Sequence, residues 1–130
     1  MKNFNDWNEK KKIVDARKKP QFIHDGEVWM AYLGLNVGTE ADGVGTEYMR
    51  PIMILKRVRF EQVWSVPFST QENKDYVKLE YKYKEKVNYA NILQLKTIDT
   101  GRLAYRMGKI SDDDLKLIKQ KICETLGLQI

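Results

Sequence analysis

Residues 75–84, "DYVKLEYKYK", alternate in polarity, with Val77, Leu79, Tyr81 and Tyr83 on one side and Tyr76, Lys78, Glu80 and Lys82 on the other. A period of two is the mark of a half-buried strand. The same logic predicts a strand in "EVWMAYLG" (27–34), where Val28, Met30 and Tyr32 oppose Trp29. "IMILKRV" (52–58) is nearly continuously apolar, as expected of a strand covered on both faces. "QVWSVPFST" (62–70) reads as a further strand, with Pro67 marking an edge or a bulge. "NYANILQLKTID" (88–99) is expected to be a single bent strand and "AYRMGKI" (104–110) a short one.

Helical signals frame these strands. Asn3 to Lys18 has no Gly or Pro inside, with Asn3 or Asn5 as N-cap, and Pro20 disfavours helix at the residue before it. Its apolar residues are few (Trp7, Ile13, Val14 and Ala16), which predicts a peripheral helix docked on something larger. At the other end Ser111 is the expected N-cap, Asp112 to Asp114 complement the helix dipole, and Gly127 is the stop. Leu115, Ile118, Ile122 and Leu126 form one core-facing stripe, with Cys123 beside it as a small buried hydrophobe. The pattern predicts a mainly β (α+β) protein, a small SH3-like antiparallel barrel with an N-terminal and a C-terminal helix. Residues 1–20 form the basic peripheral helix and residues 21–130 the domain.

Composition narrows the picture. With 130 residues, 42% of them hydrophobic, the chain suits one domain with a real core. No apolar run approaches the ~20 residues of a membrane span, and the opening "MKNFNDWNEKKK" lacks the apolar stretch of a secretory signal. One cysteine and one histidine, Cys123 and His24, exclude an internal disulfide and a multi-thiolate zinc site. A cytoplasmic protein with no metal and no cofactor is expected, with His24 in a surface loop. Seven cations stand against three acids in the first twenty residues of a chain with net charge +5. Such a segment can attract nucleic acid or an acidic partner, or simply solvate a helix face.

The stretch "GLNVGTEADGVGTEYMRPIMIL" (34–55) invites a test against phosphate-binding loops. Gly38 and Gly43 have Walker A spacing, but Val44 and Gly45 stand where Lys and Ser/Thr are needed. Gly43 and Gly45 begin a G-x-G-x-x-G that Tyr48 breaks. A strand follows instead of a helix, and Glu40, Asp42 and Glu47 would repel phosphates. This is not a nucleotide loop; its glycines suggest a mobile flap between two barrel strands.

Taken in order, these residues resemble the PemK/MazF family of type II toxins. Gly26-Glu27-Val28, Leu33, Gly38, Glu40 and Arg50-Pro51 before Ile52 to Leu55 fit the family's opening pattern. "VWSVPFST" resembles its V-P-[LI]-[ST]-[ST] strand end, and "LQLKTIDTGRLAYRMGKIS" its Q-[IL]-R…R-L…G-x-[IL]-S segment. The resemblance runs collinearly over residues 22–127 and leaves out the N-terminal helix.

The resemblance implies a toxin endoribonuclease that cuts single-stranded RNA, often mRNA, at short motifs. It further implies a homodimer and silencing by a cognate antitoxin with an acidic, partly disordered tail. The chemistry needs no metal: the 2′-hydroxyl attacks the adjacent phosphate, giving a 2′,3′-cyclic phosphate and a 5′-hydroxyl. That route asks for a base, a cation over the developing charge and an acid. Arg50 matches the family's cation, and its planar fork suits a phosphorane-like transition state, although an ion pair with Glu40 or Glu47 is the simpler role. Ser69 matches the catalytic hydroxyl, with Thr70 as the neighbouring alternative; turn capping is the simpler role for both. Some members carry an acid just before the glutamine of Q-[IL]-R; here that residue is Leu93, the motif arginine is Lys96, and Thr39 precedes Glu40. Glu40 or Glu47 is left as the base. For RNA contact the candidates are Asn36, Thr39, Glu40, Glu47, Tyr48 as an aromatic platform, Gln94 and Lys96. Trp29 and Trp64 are expected in the core. Two other classes stay open: a non-catalytic toxin of the same architecture, similar to the CcdB gyrase inhibitors, and a catalytically silent RNA-binding barrel.

Overall fold

The computed structural model describes residues 2–45 and 47–129; Met1, Thr46 and Ile130 lie outside the described residues. Helix α1 spans Phe4–Asp15, with the Asn3 side chain accepting the Asp6 N–H as N-cap. Seven strands follow: β1 Glu27–Tyr32, β2 Met49–Arg59, β3 Gln62–Ser69, β4 Val77–Tyr83, β5 Lys86–Ala90, β6 Lys96–Asp99 and β7 Leu103–Lys109. Helix α2, Asp112–Thr125, closes the chain, with Ser111 Oγ accepting the Asp114 N–H.

All the strand pairs are antiparallel, in the order β4-β5-β3-β2-β1-β7, with β6 also on β3. The sheet curls until its two edges meet through side chains: Tyr81 of β4 donates its hydroxyl to the Met107 carbonyl of β7 at 3.3 Å. The strong right-handed twist of short antiparallel strands produces this half-barrel. Alternate residues feed two cores. Val28, Met53, Val66, Phe68, Leu79 and Ile118 pack on the α2 side. Trp29, Ala31, Ile52, Ile54, Val63, Ile98 and Leu103 fill the opposite face with Ile23.

Several expectations change. The stretch 88–99 is two strands parted by a short 3₁₀ turn at Ile92–Gln94. β3 dictates the break, because its first half pairs with β6 and its last two residues pair with β5. Pro67 sits at that changeover, neither edge nor bulge, and its carbonyl accepts the Asn91 N–H at 2.9 Å. A strand residue's N–H and C=O point to the same side, so the missing N–H falls in the gap and costs no ladder bond. Trp64 is 43% exposed: the alternation that buries Val63 and Ser65 turns it to the outer face, whereas Trp29 is core as expected. On α2, Leu115, Ile118 and Ile122 pack inward, but Leu126 is exposed at the C-cap and Cys123 only half-buried. No described helix is long and apolar enough to cross a membrane.

Candidate active site

Arg50 lies within β2, not in the loop before it, and pairs with Ala31 of β1. A strand fixes its backbone, and the long side chain then reaches across to β3. Its Nη1 donates to the Phe68 carbonyl at 3.0 Å, and its Nε donates to the Asp42 carbonyl at 2.7 Å. No described ion pair includes Arg50, so neither Glu40 nor Glu47 neutralises it. Burial draws its pKa below the ordinary value, with Asp42 and Tyr76 opposing. A guanidinium stays charged even so. The result is a half-buried cation held by two neutral carbonyls.

Ser69, next to Phe68, ends β3, and Thr70 follows it. Ser69 Oγ accepts the Gln71 N–H at 3.1 Å, the local turn bond expected of a strand-end hydroxyl. Arg50, Ser69 and Thr70 line one cleft of about 600 Å³. Glu47 also lines it, as do Tyr83, Lys84, Lys86 and Tyr105. Those four escaped the sequence reading. "YKYKEK" looks like a solvated strand edge until the two-residue turn at Lys84-Glu85 brings its tip to the cleft.

The other candidates gather on the far side of Asp42. Asn36 donates its amide to the Leu33 and Ala41 carbonyls at 3.2 and 2.7 Å, and its N–H to Asp42 Oδ1 at 2.6 Å. Gln94 accepts the Ala41 N–H at 3.2 Å and donates to the Thr39 carbonyl at 3.3 Å. Glu40 accepts the Val37 N–H at 3.1 Å. Burial, then nearby Arg102, lowers the pKa of half-buried Lys96, while Glu40 and Asp42 oppose. These polar groups brace the loop in place of the loose flap its glycines suggest. Two glycines are needed for close approach: a Cβ on Gly34 would lie 2.0 Å from the Trp7 ring, and one on Gly43 would lie 1.7 Å from the Tyr48 carbonyl oxygen.

Tyr48 departs most from expectation. It is buried, at φ 56°, with its ring edge-on to Trp7 at 5.4 Å and its hydroxyl bonded to Asp6. Buried against helix α1, Tyr48 is no open platform. Leu93 is 53% exposed in the 3₁₀ turn and brings no carboxylate. Among the described residues no group of three or more His, Cys, Asp or Glu is positioned to hold a metal ion.

Fold and cleft define a class: a curled antiparallel half-barrel whose cleft is lined by an arginine bonded to backbone carbonyls, two strand-end hydroxyls and a pair of lysines. The chain belongs to the PemK-like, MazF-like family of toxins of type II toxin–antitoxin systems, whose model matches residues 24–126. Among solved structures it is similar to MazF from Deinococcus radiodurans, with a TM-score of 0.67 at 16% identity over 86% of this chain and 100% of that one. The Mycobacterium tuberculosis toxin MazF-mt6 gives 0.63 at 15% identity, covering 80% of this chain and 99% of that one. A mycobacterial endoribonuclease in complex with its cognate antitoxin gives 0.59 at 16%, covering 85% and 97%. At such identities the likeness is one of fold. Comparison with curated protein sequences yields no match.

Proposed function

We propose that this chain is the toxin of a type II toxin–antitoxin pair and acts in the cytoplasm as a metal-independent endoribonuclease on single-stranded RNA. The observation that carries the reading is Arg50, charged, half-buried and, among the described residues, bound only to backbone carbonyls, beside the Ser69-Thr70 strand end in an open cleft. A cation without a direct ion pair among the described residues, in a partly desolvated site, is ready for charge that develops on a phosphate. In this reading Arg50 stabilises the phosphorane-like transition state, and Ser69 or Thr70 holds a non-bridging oxygen. Lys84 and Lys86 attract the flanking phosphates. With Leu93 in the usual acidic position, the 2′-hydroxyl's proton goes to Glu47, the carboxylate that lines the cleft, in preference to Glu40, which does not. The departing 5′-oxygen takes a proton from solvent water as the P–O5′ bond breaks. Asn36, Thr39, Glu40, Gln94 and Lys96 then shape the loop above the RNA, with Lys96 adding positive charge. The family's homodimer and antitoxin partner are carried over as part of the same proposal.

The test is incubation of the purified protein with mixed-sequence RNA in EDTA. Discrete cuts are expected, reduced about 10²–10³-fold in Arg50→Ala. An inert protein that remains toxic in cells would favour the gyrase-inhibitor reading. An inert protein that still binds RNA would favour the silent barrel.

A further inference from the structure

The first twenty residues look like an RNA grip, yet their charges are largely turned inward. Lys2 pairs with Asp42 at 2.9 Å, Lys10 pairs with Glu47, and Lys19 bridges Glu61 and Asp99 at 2.9 and 3.0 Å. Arg17 donates to the Gly101 and Leu103 carbonyls at 3.1 and 3.3 Å. Apolar contact reinforces these bonds: Trp7 and Val14 are buried, and Trp7 rests on Gly34 and Tyr48. The N-terminal segment therefore holds the loop between β1 and β2 at three points, beyond the bracing from Gln94. Trp7 and Asp6 hold Tyr48 two residues before Arg50, Lys10 holds Glu47, and Lys2 holds Asp42, whose carbonyl accepts Arg50 Nε. This helix precedes the segment matched by the family model.

We propose that α1, with Lys2 just before it, is an intramolecular clamp, with Lys2, Asp6, Trp7 and Lys10 as positioning residues that fix Glu47 and Arg50 at the cleft. The kinetic part of this proposal rests on the nuclease reading; the structural part does not. Unclamped, the loop would keep its internal bonds and its Gln94 contacts but lose its side-chain ties to the N-terminal segment. Tyr48, at positive φ, would then lose the Trp7 ring and the Asp6 bond and keep only its backbone bonds to Leu33, Gly34 and Gly45 to hold that conformation. Small displacements of a reacting group carry large rate costs.

Two variants of the full-length protein test the clamp, Trp7→Ala and Lys10→Gln, with Lys10→Arg as the conservative control. Hydrogen exchange followed by mass spectrometry reads the loop directly. In Trp7→Ala the amides of Gly34, Gly43, Val44 and Met49 are expected to exchange at least about tenfold faster, with those of β3 and α2 unchanged. In RNA cleavage both variants should lower kcat about tenfold or more with little change in KM, and Lys10→Arg should restore it. Parent-like exchange in the loop overturns the clamp, as does a loosened loop with unchanged kcat. If Trp7→Ala fails to fold, Lys10→Gln carries both readouts. If the parent cuts no RNA, the nuclease reading falls, and the exchange data still decide whether α1 holds the loop.

Discussion

Arg50 gives two of its N–H groups to backbone carbonyls and forms no ion pair among the described residues, whereas Glu27 shows what a structural charge looks like in this molecule. Glu27 is buried and accepts from the His24 N–H at 2.8 Å, the Trp29 indole at 3.1 Å and Arg106 Nε at 2.9 Å. Burial pushes its pKa up, but these three bonds and the Arg106 charge outweigh it, so the carboxyl titrates below its ordinary range. A folded-state pKa below the unfolded one gives stability that is present above about pH 4.3 and lost as pH falls through the folded value. Glu27→Gln should therefore cost about 1–3 kcal/mol at neutral pH, with the deficit shrinking in acid. Urea unfolding at pH 7 and pH 3 measures both; an equal loss at the two values would mean that the charge is irrelevant. In sequence, Gly26-Glu27-Val28 matches a family pattern, but only the structure gives the acid its structural work. Tyr48 runs the other way: an aromatic in a glycine loop reads as exposed, and its burial depends on Asp6 and Trp7, some forty residues upstream.

Among the elements, those set by local rules were legible. The alternation over 75–84, the Asn3 and Ser111 caps and the apolar run before Lys56 all fall where their patterns put them. What was not legible depends on neighbours. The break after Ala90 follows from the changeover of partners on β3, and the bracing of the loop depends on Gln94, far off in sequence. The β4–β5 hairpin carries a testable strain. Lys84 and Glu85 both adopt positive φ, 55° and 58°, in a two-residue turn that favours Asn-Gly. Glu85→Gly removes one left-handed penalty at some entropic cost and should raise stability by about 0.5–1 kcal/mol. A lower urea midpoint would show that the Glu85 side chain contributes more than its backbone costs. Lys84 lines the cleft and is left in place.

At the scale of the molecule, one curled sheet brings the ends of β2 and β3 and the β4–β5 tip to the same cleft, though they are distant in sequence. The sequence named Arg50, Ser69 and Thr70 by resemblance; the lysines and tyrosines lining the same cleft had to await the curl. If an acidic antitoxin tail occupies this cleft in the proposed toxin–antitoxin complex, it must compete with RNA for the same cations. A peptide from the cognate antitoxin should then displace labelled RNA in fluorescence anisotropy, and simultaneous binding of both would refute a shared site. The central claim is that the cleft around Arg50 uses the RNA's own 2′-hydroxyl as nucleophile. Its most direct test compares an RNA with its fully 2′-O-methylated counterpart in EDTA. The account predicts cyclic-phosphate and 5′-hydroxyl ends from the first, and binding without cleavage for the second. Cleavage of the methylated strand would contradict it.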